Sequence, residues 1–158
     1  MEAISDSGGK KKRTITSSGC ANHYSVCTGK PGICSAVGQE GSATEARVQA
    51  KVIDIPAEPV IATTTKNIEC NMGAIGIALN GVSIYGGAVD QSCNKIETGD
   101  DTSEWTSFDM CTGHSQKTGD YHYHFPPSCL LVQAAATNAP TGDAQGHSPQ
   151  IGWSYDGM

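Results

Sequence analysis

The sequence predicts a mainly β fold: a single compact domain of short antiparallel strands, sandwich-like, with long disulfide-stapled loops and at most one or two short helices. Three observations carry that expectation. Apolar and β-branched residues recur at period two in short runs, Asn-Gly and Asp-Gly pairs stand where hairpins need turns, and seven cysteines are spread through loop-like segments. At 158 residues the chain has the length of one domain, and with its glycines counted its apolar share is that of a folded protein.

Residues 1–12, rich in Gly, Ser and Lys, read as a flexible N-terminal tail, with the β domain over residues 13–158. Arg13 to Ser17 alternates at period two and is β-branched, which suits a strand. A Gly-rich, Cys-containing loop follows to about Thr44. Between Arg47 and Ile55 the apolar positions are Val48, Ala50 and Val52, then Ile53 and Ile55, a slip by one that predicts a bulge near Val52. Pro56 and Pro59 end that strand. Gly76 to Val82 matches Gly152 to Met158 position for position, each copy being a strand followed by Asn-Gly or Asp-Gly, residues that accept the positive φ of a tight turn. Val82 to Tyr85 is the return strand of the first copy. The second copy reaches Met158 just past its turn, which reads either as a frayed or truncated end or as an edge that another chain can complete. Cys129 to Thr137, rich in Ala and Leu and preceded by Pro127 and Ser128, is the one helical segment.

Only 16% of residues are charged and the net charge is −6, which excludes the usual basic surface of a nucleic-acid-binding protein. Lys10 to Arg13 is the single basic run and reads as solvated. The longest apolar stretch, Met72 to Leu79, is far too short to span a bilayer, and the first thirty residues lack the pattern of a secretory signal. The cysteines point the other way. Cys20, Cys27, Cys34, Cys70, Cys93, Cys111 and Cys129 form no Cys-x-x-Cys pair and read as disulfides of an oxidising compartment, extracellular or at the cell surface. The odd count leaves one sulfur, either a buried thiol or a link to another chain. The Ser/Thr-rich surface, including Ala62 to Lys66, offers sites for O-linked glycans, whereas no Asn-x-Ser/Thr acceptor occurs.

The chemistry concentrates between Asp109 and Cys129. On a strand over Tyr121 to Phe125, His122 and His124 point to one face and Tyr121, Tyr123 and Phe125 to the other. Two imidazoles about 7 Å apart at Cα can reach one ion at ~2 Å. His114 lies upstream across a Gly-bearing turn at Lys117 to Asp120, so a hairpin returns it to the same face. Imidazole ligation suits Zn(II) or Cu(II), with Asp109 and Asp120 as extra or outer oxygens. The alternative is that these histidines only hydrogen-bond loop carbonyls and fix their path. Cys111 and Cys129 bracket the cluster and read as a disulfide, worth about 3 kcal/mol by chain entropy.

Tyr121-His-Tyr-His124, reached through Phe108 to His114 and followed by Pro126 to Leu130, resembles the signature of the YHYH domain family. Thr16 to His23 is similar to that family's opening motif, Gly73 to Gly86 to its Asn-Gly and Tyr-Gly element, and Gly146 to Gly157 to its closing element. The likeness spans about residues 13 to 158 and takes in all five histidines, His23, His114, His122, His124 and His147. It implies an exported or surface-associated protein and names no activity. The extra cysteines Cys20, Cys27 and Cys34, and the missing return strand after Met158, depart from the family pattern.

Three functions compete. The leading one is an extracellular domain holding Zn or Cu through His114, His122 and His124, with His147 or His23 completing the site. The second is a self-assembling subunit of an extracellular fibre or surface layer, joined through unpaired edge strands or a free Cys. The third is a metal-dependent hydrolase, weakened because no carboxylate stands at a His-Glu-x-x-His-like spacing.

Overall fold

The computed structural model describes residues 2–7, 9–23, 46–68, 70–88, 92–94, 108, 109, 111–136 and 149–158. Its three N-terminal strands, β1 (Glu2–Ser7), β2 (Lys10–Ser17) and β3 (Lys51–Pro56), form one antiparallel sheet in the order β1-β2-β3. The remaining five, β4 (Ala74–Ala78), β5 (Ser83–Tyr85), β6 (Gly113–Ser115), β7 (Tyr121–Tyr123) and β8 (Gly152–Ser154), form a second sheet in the order β6-β7-β5-β4-β8. Among the described residues a helix, α1 (Ser128–Ala136), follows β7. The mainly β expectation therefore holds, with one refinement: β5 and β7 run parallel, which the long connection between them permits.

Two local expectations change. Where a tail was expected, β1 pairs with β2 from Glu2 opposite Ile15 to Ser7 opposite Lys10. It carries no alternation because it buries almost nothing; the backbone ladder to β2 holds it. The bulge near Val52 is absent, since Thr16 opposes Val52 and Ser17 opposes Lys51 in unbroken register. The apparent slip arises because Val48 and Val52 are left in solvent, 71% and 69% exposed, while Ile53 and Ile55 turn inward. Pro56 closes β3 on the sheet edge, where a missing N–H costs no ladder bond.

The sheets meet through Ile15, Ile55 and Ile77, with Ile53, Trp153 and Tyr155 packed around them, and the Arg13 guanidinium lies 4.8 Å from the Trp153 ring centre. A second cluster, Val82, Ala78, Tyr121, Tyr123, Ala46 and Leu130, lies behind β7 and is closed by α1. Burying a large side chain such as Val82 or Ile77 completely contributes about 1.5–3 kcal/mol. Disulfides join Cys111 to Cys129 and Cys70 to Cys93. Cys20 is also disulfide-bonded. Cys27 and Cys34, on which the expectation of one left-over sulfur then falls, lie outside the described residues. Among the described residues no helix is long and apolar enough to cross a membrane.

The matched segments are related by a local two-fold axis. β4 and β8 pair antiparallel about Ile77 opposite Trp153, which are equivalent positions of the repeat. The bond from Leu79 N–H to Ile151 O recurs from Tyr155 N–H to Ile75 O, and the turn bond from Ala78 N–H to Val82 O recurs from Ser154 N–H to Met158 O. Gly81 and Gly157 occupy the same turn position with φ of 82° and 94°, where a side chain is strained. At the crossing a Cβ on Gly76 would stand 2.7 Å from Trp153 O, and one on Gly152 would strike Ile77 O.

Candidate metal centre

The β6–β7 hairpin sets the site. Gly119, with φ of 81°, turns the chain, Gln116 N–H donates to Asp120 O, and Gly119 N–H donates to Gln116 O. That turn length brings His114 directly opposite His122. Two anchors hold the turn against the first sheet: Arg47 N–H donates to Gly119 O, and Lys51 Nζ lies 2.5 Å from Asp120 Oδ1 with both side chains largely buried. Upstream, Asp109 shapes the entry to β6 by accepting the N–H groups of Cys111 and Gly113 on Oδ1.

His114, His122 and His124 converge, with one ring nitrogen of each lying within 4.8 Å of the other two. His114 Nε2 stands 3.0 Å from His122 Nε2, which stands 3.1 Å from His124 Nε2. The outer nitrogens fix the tautomers. His122 Nδ1–H donates to the Asp120 carbonyl at 3.0 Å and His124 Nδ1–H to the Gly86 carbonyl at 3.1 Å, so in the neutral rings both Nε2 atoms carry bare lone pairs. The contact between them is therefore not a hydrogen bond. Two imidazole nitrogens at 2.0–2.1 Å from a tetrahedral ion lie about 3.3 Å apart, close to the spacings of these Nε2 atoms.

Burial holds all three rings neutral. It pushes His114 down to about 4, assisted by His124, and His122 down to about 2, assisted by His114 against the opposing hydrogen bond to Asp120; His124 is also lowered, first by burial. Neutral imidazole is the ligating form. Tyr85 stacks on His122, with ring centres 3.9 Å apart, and Phe108 stands 4.8 Å from His114 and 5.6 Å from His124. On its open side the cluster faces a cavity of ≈ 220 Å³ lined by Tyr85, Ser115, Gln116 and Lys117.

The other expected residues go elsewhere. His23 is buried behind β7, where its Nε2 lies 2.6 Å from the Tyr123 hydroxyl, and it does not join the three. His147 lies outside the described residues. Asp120 supports the cluster through its backbone carbonyl while its carboxylate goes to Lys51, and the Asp109 carboxylate takes the Tyr121 hydroxyl at 2.5 Å. The strand ends at Tyr123, so Phe125 leaves the tyrosine face and meets Phe108 edge-on at 5.9 Å. A second group, His23 with Cys111 and Cys129, is equally tight, but its sulfurs are joined in the disulfide and are not thiolate ligands. Tyr85, Phe108 and the Gly86 carbonyl were not anticipated at the site; the Tyr85-Gly86 pair at the end of the first hairpin was the available signal.

No curated protein and no solved structure matches the chain. Residues 52–158 match the family described as YHYH protein, a stretch that contains the whole β6–β7 hairpin and the two-fold repeat but not the opening motif at Thr16 to His23. As that match covers more than half of its length, the chain belongs to the YHYH protein family.

Proposed function

We propose that this protein is an extracellular domain that holds one transition-metal ion, Zn(II) or Cu(II), through the Nε2 atoms of His114, His122 and His124. A single observation carries the reading. His122 and His124 each give their Nδ1–H to a backbone carbonyl and turn bare Nε2 lone pairs toward one another at 3.1 Å, a repulsive contact that a cation between them converts into ligation. Purely structural histidines reach the opposite condition, with each lone pair facing a donor. Three neutral nitrogens select the borderline metals over calcium, which requires oxygen ligands. The disulfides Cys70–Cys93 and Cys111–Cys129 agree with an oxidising, extracellular setting.

Elemental analysis of the purified protein tests the reading. One equivalent of Zn or Cu per chain is expected, lost when His122 and His124 are both changed to Ala. A folded wild-type chain that takes up no Zn or Cu after dialysis against either ion contradicts it.

A further inference from the structure

The three imidazoles are uncharged, so a divalent ion held by them keeps its charge unless something else neutralises it. Among the described residues the nearby carboxylates are engaged elsewhere. Asp120 is committed to Lys51 at 2.5 Å, and Asp109 to the Tyr121 hydroxyl and to the N–H groups of Cys111 and Gly113. No described Asp or Glu lines the cavity on which the cluster opens. Beside the apolar Met72 and Ala88, its described walls offer hydrogen-bond donors and one positive charge. Lys117 stands exposed at the rim, and no described carboxylate is ion-paired with it. Gln116 Nε2–H donates to the Tyr85 hydroxyl at 3.0 Å, which occupies an oxygen lone pair and leaves the Tyr85 O–H to donate.

We infer that this cavity is the anion half of the centre: a small carboxylate-type monoanion enters it as the fourth ligand of the metal, steered by Lys117 and accepting a hydrogen bond from Tyr85. The inference rests on the metal reading above and deepens it. Three protein ligands with one position left for an outside molecule is the arrangement of a reactive or exchangeable metal centre, whereas a purely structural centre is closed by four protein ligands. The ≈ 220 Å³ available accommodates an anion of a few heavy atoms.

Cobalt(II) reports on both halves. The metal-free protein is loaded with one equivalent of Co(II), its visible absorption is recorded, and acetate is titrated in, with azide as a second probe. The expected result is a saturable shift of the visible bands with cobalt retained through dialysis. Lys117→Ala should raise the half-saturating acetate concentration by about three- to tenfold at low ionic strength, and added salt should shrink that difference. Bands that stay unchanged in acetate and azide while cobalt remains bound overturn the inference and leave the metal reading standing. Acetate that strips the cobalt out overturns it as well. Failure to take up cobalt, zinc or copper removes both readings together.

Discussion

The two faces of β7 are built from alternate residues of one short run, yet they reach opposite conditions. Behind the strand, Tyr121 gives its hydroxyl to Asp109, and Tyr123, fully buried, shares its hydroxyl with His23 and Asn80. In front, His122 and His124 give their outer nitrogens to backbone carbonyls and bring their inner ones together at 3.1 Å, with His114 Nε2 3.0 Å from that of His122. Burial is similar on the two sides, so desolvation alone does not distinguish them. The distinction is whether each polar atom inside has a complementary neighbour: the tyrosine face is a finished framework, and the histidine face leaves the Nε2 lone pairs of His122 and His124 facing one another.

Substitutions on the two faces should therefore fail in different ways. Tyr123→Ala empties the second core cluster and removes partners of His23 and Asn80; urea unfolding of the metal-free protein should show a loss of about 3–5 kcal/mol. His114→Ala should leave most of that stability in place but weaken metal binding by more than about a hundredfold, measured by competition with a chromophoric chelator, since losing even an outer-shell partner costs 10–100-fold. If the two variants exchanged these phenotypes, the contrast between the faces would be wrong. Tyr121→Phe leaves a buried Asp109 oxygen without its donor and should cost about 1–3 kcal/mol with metal affinity little changed.

The smallest and most graded effect is that of pH. Because the folded chain holds His114 near 4 and His122 near 2, the unfolded chain binds more protons than the folded one below about 6.5. Stability of the metal-free protein is thus complete above that pH and falls as the solution is acidified toward 4, by about 1–2 kcal/mol per histidine between pH 6.5 and 5. Protons also compete with any bound metal, so release runs in the same direction. Denaturation midpoints measured across that range should fall in the wild type and much less in a variant lacking His122 and His124.

The site was partly legible in the sequence because its components are local. Period-two spacing places His122 and His124 together, and the Gly119 turn returns His114 to them within one hairpin. What remained hidden is supplied by topology. Tyr85 and the Gly86 carbonyl arrive through the parallel pairing of β5 with β7, a contact across a long connection that no spacing rule encodes. His23 was attached to the cluster by its motif, whereas the Tyr123 hydroxyl draws it to the other face. The same limit explains β1, whose exposed residues bury too little to leave a periodic trace, and Val52, whose apolar side chain suggested a bulge although it faces solvent.

The central claim is tested most directly by X-ray absorption at the edge of the ion bound to the purified protein. It should show three imidazole nitrogens at about 2.0 Å, one further light-atom ligand and no sulfur. A sulfur shell at about 2.3 Å, or fewer than two imidazoles around the ion, would contradict the assignment to His114, His122 and His124.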